Sequence, residues 1–209
     1  MYGIHDFGVF LAAAVLLNLT PGQDTLYIVG RSLAEGRSAG IAAALGICAG
    51  ALVHTLAAAV SVSAILATSA TAFLALKLAG AAYLVYLGVA LWRARPPLRE
   101  PESHTRRAGA AIAFRRGVLT NVTNPKVALF FLAFLPQFIA PESTSKIAAF
   151  VLLGFTFVAT STVWCLVLAF AATCIRDAVL PRTRSTTMLS RAAGALFVAL
   201  GIRLAVSEA

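Results

Sequence analysis

Apolar residues run along the chain in six long blocks, roughly residues 7–30, 39–66, 72–92, 117–140, 147–172 and 189–207. Each can supply a membrane span at about 20 residues. From Ser38 to Leu76 there is no Asp, Glu, Lys or Arg, a stretch with room for two spans. The connections carry the breaks. One holds Arg31, Glu35, Gly36 and Arg37; another, Arg93 to Arg116, contains Pro96, Pro97 and Pro101 and reads as a flexible surface linker. Pro141, Glu142 and Lys146 mark a third, and Arg176, Pro181 and Arg191 a fourth. The hairpin between the second and third blocks is marked only by Ser61, Ser63, Thr68, Ser69 and Thr71. The pattern predicts an all-α polytopic membrane protein, with six transmembrane helices in a single domain over residues 1–209.

Composition strengthens this reading. Of 209 residues, 60% are hydrophobic and 12% charged, against about 25% charged in soluble domains. A soluble fold of this size would expose large apolar patches and aggregate; lipid solvates them. Residues 1–20 hold no Lys or Arg, so a basic signal-peptide region is missing, and Phe7 onward reads as a retained first helix. Cys48, Cys165 and Cys174 lie in apolar segments without metal-ligand spacing, which fits packing between helices better than redox or metal chemistry. No metal and no cofactor is expected.

Net charge is +9, which in a soluble protein would suggest nucleic acid. Here the basic residues cluster in alternate connections, and no aromatic-interleaved basic patch accompanies them. Arg31, Arg37, Arg93, Arg95, Arg99, Arg106, Arg107, Arg115, Arg116, Arg176, Arg182, Arg184 and Arg191 fall in the first, third and fifth connections. Lys77, Lys146 and Arg203 fall on the other side. That is 13 against 3, which places the odd connections in the cytoplasm and both termini outside.

The two halves resemble each other. Asn18-Leu19-Thr20-Pro21 in the first block matches Asn121-Val122-Thr123-Asn124-Pro125 in the fourth. Ala79–Gly88 in the third matches Ala193–Gly201 in the sixth with one residue deleted. Three spans per copy is an odd number, so the copies must be inverted: repeat one over about 1–95, a cytoplasmic linker over about 96–113, repeat two over about 114–209. Inverted repeats with interrupted helices at matching positions are typical of secondary transporters.

The polar residues inside the apolar blocks are the candidate chemistry. Pro21 cannot donate its backbone hydrogen bond, and Gly22 is conformationally free, so the pair can open the helix and release carbonyls as ligands. Asp24 places a carboxylate there, at a cost of about 2.5–3.5 kcal/mol at a helix centre; an interfacial Asp that simply reaches water is the alternative. Asn121, Asn124, Pro125 and Lys126 repeat the pattern with the opposite charge, and a snorkelling Lys126 is the plain alternative. Asp24 and Lys126 could pair with each other, or hold the ammonium and carboxylate of a zwitterion. Gly46, Gly50 and His54 share one helix face. The glycines read as a close helix contact, and His54 as a structural histidine or a proton carrier.

At these residues the chain resembles the bacterial L-lysine exporter family, in its homoserine/threonine-resistance branch. The resemblance rests on Asn18-Leu19-Thr20-Pro21-Gly22-Gln23-Asp24, Leu76–Gly88, Gly117–Lys126 and Phe134-Leu135-Pro136-Gln137-Phe138. The first motif more often reads Pro-Gly-Pro-Asp in that family; Gln23 departs from it and should loosen the kink. What the resemblance implies is proton-driven export of amino acids across the bacterial cytoplasmic membrane. The implied partners are an amino acid, protons and the bilayer, with a homo-oligomer left open and no nucleic acid. The site residues carried over are Asn18, Pro21, Gly22, Asp24, Asn121, Asn124, Pro125 and Lys126, to which the residue reading adds His54. A neutral or small polar substrate is expected over lysine or arginine, because Asp24 is the single acidic residue at depth. A channel or scaffolding subunit and a membrane-embedded enzyme are the competing classes. The enzyme reading lacks a nucleophile motif or metal-ligand spacing, and a nucleotide-driven pump lacks a phosphate loop.

Overall fold

The structure is a computed structural model that describes residues 2–68, 109–140 and 142–178, with single positions at 71, 74, 75, 78, 81, 82, 85, 86, 89 and 202. Most of the third and sixth expected spans, and the connections around them, lie outside the described residues. Apart from one bridge between Ile4 and Ile139, regular structure among the described residues is helical.

Helix α1, Phe7–Leu19, is apolar almost throughout and stops where proline forbids continuation. Thr20 turns extended, at ψ 117°, while its N–H still reaches the Leu16 carbonyl at 3.0 Å. Helix α2, Gln23–Glu35, restarts after Gly22 with Asp24 in its first turn, where the helix dipole favours a carboxylate. Gly36, at φ 91°, ends it in the left-handed region that suits glycine. Helix α3 covers Arg37–Thr68. Helix α4, Ala110–Val122, breaks at Thr123 and Asn124. Helix α5, Pro125–Leu129, continues through a π-helical turn, Phe130–Phe134, into a 3-10 turn, Leu135–Phe138. Helix α6 covers Lys146–Ala178.

Two segments, Arg37–Val60 and Lys146–Cys174, are each long and apolar enough to cross a membrane. The α1–α2 and α4–α5 pairs qualify only if each is one bent span, with bends of 47° and 49°. Up to four of the six expected spans are therefore described. Several sequence boundaries move outward. The fourth block, drawn from residue 117, starts as a helix at Ala110, so Arg115 and Arg116 lie inside α4 rather than in a connection. Arg31 and Arg176 likewise lie inside α2 and α6. The helical backbone outlasts the apolar block at Arg115 and Arg116 because their exposed, long cationic side chains can reach polar surroundings while the backbone stays hydrogen-bonded.

The two bent segments run antiparallel. At one end His5 N–H donates to the Phe138 carbonyl at 3.0 Å and Ala140 N–H to that of Gly3 at 2.8 Å. At the other, the Tyr27 hydroxyl donates to the Ala113 carbonyl at 2.8 Å. Glycine sets the α3–α4 spacing, as its face pattern indicated. A Cβ on Gly117 would lie 2.6 Å from the Ala43 carbonyl, and one on Gly50 would lie 2.7 Å from the Asn121 Cβ.

Two apolar clusters result. One is aromatic, with Phe10, Phe130, Phe131, Phe134, Phe150 and Phe157 at its centre. The other is built of smaller residues: Ile28, Ala43, Ala44, Ile47, Ala113 and Ala169. The polar residues of the two helix breaks lie where these clusters meet.

Candidate functional site

Each proline leaves the carbonyl four residues earlier without its helical donor. For Pro21 that carbonyl belongs to Leu17. The extended turn at Thr20 takes a second carbonyl out of the helix. Both are taken up from the other bent segment: Lys126 Nζ donates to Leu17 O at 3.1 Å and to Thr20 O at 3.0 Å. The C-terminal end of α1 is the negative end of its dipole, which suits an ammonium. Gly22 makes room for this contact, since a Cβ there would lie 3.3 Å from Nζ. Its φ of −159° is ordinary extended backbone, so the glycine serves space rather than the conformational freedom expected from the sequence.

For Pro125 the orphaned carbonyl belongs to Asn121. It accepts from His54 Nε2 at 3.0 Å and from the backbone N–H of Asn124 at 2.9 Å. A carbonyl can only accept, so Nε2 carries the hydrogen. The His54 ring also stacks on Phe131 at 6.0 Å. Asn124 caps α5, its Oδ1 accepting the Lys126 backbone N–H at 3.0 Å.

Asp24 does not pair with Lys126. Its Oδ2 accepts from Asn121 Nδ2 at 2.8 Å, and the ion pairs among the described residues are His5–Asp6 and Arg31–Glu35. The direct-pair alternative is thus replaced by two cross-connections, ammonium to carbonyls and carboxylate to amide. They compete with the ion pair, and each spares a buried backbone or amide group from going unbonded.

These groups surround a cavity of about 20 Å³ lined by Asn18, Asp24, Asn121, Lys126, Ser161 and Trp164, among others. That is room for roughly one water. Asp24 Oδ1, Asn121 Oδ1 and Trp164 Nε1, all on residues that line it, are buried with no hydrogen-bond partner among the described residues, as is the nearby Asn124 Nδ2. Buried polar groups are nearly always bonded, so two free acceptors and a free donor around one cavity mark a place built to receive polar atoms. Asn18 Nδ2 bonds Thr160 Oγ1 at 3.2 Å and also borders a larger, apolar cavity of about 330 Å³ beside Val163 and Trp164.

Of the residues singled out in the sequence, Asn18, Asp24, Asn121 and Lys126 share the cavity wall. Pro21, Gly22, Asn124 and Pro125 shape the breaks, and His54 stands behind Asn121. Gln23, expected to loosen the first kink, occupies the first position of α2, and the two bends differ by 2° (47° against 49°). Sequence reasoning missed the α6 wall, where Thr160, Ser161, Trp164 and Cys165 come together. Its one signal was the polar run Thr160-Ser161-Thr162 inside an apolar block.

Bent, proline-broken helices around a buried polar cavity, beside helices long and apolar enough to cross a membrane, fit a multi-pass membrane protein. The chain belongs to the LysE type translocator family, whose model matches residues 15–208. It is 34% identical over 209 residues to an uncharacterized membrane protein of Vibrio cholerae, covering 99% of both chains. It is 32% identical to an uncharacterized membrane protein of Pseudomonas aeruginosa, covering 98% of this chain and 97% of that one. A homoserine/homoserine lactone efflux protein of Salmonella typhimurium is 31% identical over 94% of each. No solved structure matches. The family assignment agrees with the resemblance carried by the sequence motifs.

Proposed function

We propose that this protein is a secondary exporter of a neutral or small polar amino acid in the bacterial cytoplasmic membrane, driven by protons, with the cavity between the helix breaks as its substrate site. The observation that carries the reading is the set of unpaired groups around that cavity. Asp24 Oδ1 and Asn121 Oδ1 are free to accept from an α-ammonium, and Trp164 Nε1 is free to donate to a substrate oxygen. Lys126 Nζ has three donors, two of them on backbone carbonyls; the cavity it borders is where it meets an α-carboxylate.

An amino acid needs several times the present volume, so this conformation is a closed one. The breaks at Thr20–Gly22 and Thr123–Asn124 are the natural hinges for opening it, since the backbone there is already out of helical register. The antiparallel course of the bent segments supports the arrangement as two inverted three-helix repeats. Asp24 is the carboxylate placed to carry a proton or the substrate's ammonium. One charge crossing 100 mV is worth about 2.3 kcal/mol, enough to bias the carrier. A dibasic substrate would want a second acidic group at this depth; the similarity to a homoserine/homoserine lactone efflux protein supports a small polar one.

Efflux from cells loaded in parallel with threonine, homoserine, leucine, lysine and arginine tests the reading. Neutral amino acids should leave in a saturable, gradient-dependent manner; export of lysine or arginine alone would overturn the substrate class. The asymmetry of basic residues supports both termini outside and the connection that precedes Ala110 inside. A cysteine introduced at Ser103 should therefore resist impermeant reagents in intact cells, and its labelling would reverse the topology.

A further inference from the structure

We infer that the Leu17 and Thr20 carbonyls form a primary-ammonium site, which Lys126 fills in the closed state and which the substrate's own ammonium fills when Lys126 leaves. The inference rests on the reading of this cavity as the amino-acid site and adds an exchange step to it. Pro21 withdraws the donor from one carbonyl, and the extended turn at Thr20 presents the other. Both then face one cationic tip, at 3.1 and 3.0 Å, from a residue 109 and 106 positions away. Gly22 keeps the space beside that tip clear, with room for a Cβ only at 3.3 Å from Nζ. The helix dipole of α1 adds negative potential at the same point. The site is thus built for an ammonium, and Lys126 occupies it on a long flexible stem that can withdraw.

Among the described residues, two acceptors (Asp24 Oδ1 and Asn121 Oδ1) and two donors (Trp164 Nε1 and the nearby Asn124 Nδ2) are unpaired around Lys126. A zwitterion brings both an ammonium and a carboxylate to this mixed set. As its carboxylate draws Lys126 off the carbonyls, its ammonium, only a short distance away within the same molecule, replaces Nζ there. The closed state is then restored when the substrate leaves and Lys126 returns, so the lysine acts as a tethered competitor that keeps the empty site from standing open.

n-Propylammonium probes the site without requiring transport. It can donate to the two carbonyls, whereas tetramethylammonium, of the same charge, has no N–H. The full-length purified K126A variant should bind n-propylammonium at least 10-fold more tightly than wild type and be thermally stabilised by it, with no response to tetramethylammonium. K126M, which fills the same space, should not respond to either. If K126A is recovered poorly, its yield from membranes should rise in n-propylammonium and not in tetramethylammonium. Equal binding by wild type and K126A, equal effects of the two cations, or no recovery with either would overturn the inference. Wild-type protein that exports no amino acid while K126A binds the amine would instead remove the export reading and leave the ammonium site standing.

Discussion

At Pro21 the carbonyl left without a helical donor belongs to Leu17; at Pro125 it belongs to Asn121. The two are satisfied in different ways. The first break is completed by the Lys126 ammonium, a charged group on a flexible stem from the other bent segment. The second is completed locally and from the continuous helix α3: Asn124 N–H and His54 Nε2 share one carbonyl, and Gly50 presses α3 against Asn121. One break therefore depends on a contact that can be exchanged, and the other on contacts held by close packing. The first is the break expected to move.

Removing the exchangeable contact should have the largest effect. Lys126→Met removes the ammonium that two buried carbonyls accept from, at about 1–3 kcal/mol each. Thermal stability in detergent should fall by that amount, and efflux should be lost. A variant with wild-type stability would show that the first break does not need the lysine.

How much of this was legible in the sequence follows from the same contrast. A proline and an asparagine inside an apolar block announce a break, and the four-residue offset names the orphaned carbonyl. Both breaks and the shared location of Asn18, Asp24, Asn121 and Lys126 could be read this way. The partner of each orphan could not, because it depends on how separate helices pack. Opposite charges at matching positions left open an Asp24–Lys126 pair or the two ends of a zwitterion, yet backbone carbonyls, invisible in a residue pattern, hold the lysine. Trp164 went unnoticed because an indole in a span ordinarily belongs to packing or the interface; only its unpaired Nε1 beside the cavity distinguishes it.

Two glycine substitutions sharpen the comparison. A Cβ on Gly50 would lie 2.7 Å from the Asn121 Cβ and 3.0 Å from the Val118 carbonyl, both fixed by helix packing. Gly50→Ala should therefore cost about 1–3 kcal/mol through overpacking. At Gly22 the nearest atom is the far end of a flexible side chain at 3.3 Å, so Gly22→Ala should cost less than 1 kcal/mol and act mainly on transport rate. Thermal melts and initial efflux rates of both variants measure the difference; the reverse order would place the rigid break at Pro21.

His54→Phe should have a modest effect on stability. It removes one donor to the Asn121 carbonyl, which keeps the Asn124 N–H, and leaves an aromatic ring beside Phe131. A loss of about 1 kcal/mol is expected, with efflux reduced and still gradient-dependent. Complete loss of gradient dependence would make His54 a proton carrier rather than a support for Asn121.

The central claim is that the cavity carboxylate couples an ion gradient to amino-acid movement. Its most direct test is Asp24→Asn in proteoliposomes loaded with homoserine, threonine or leucine under an imposed proton gradient. The amide can still accept from Asn121 Nδ2, so the variant should insert and melt close to wild type. Gradient-driven efflux of every neutral substrate should fall to the level of empty liposomes. Wild-type efflux by the variant, with its proton dependence intact, would contradict the account and leave Asp24 a structural partner of Asn121.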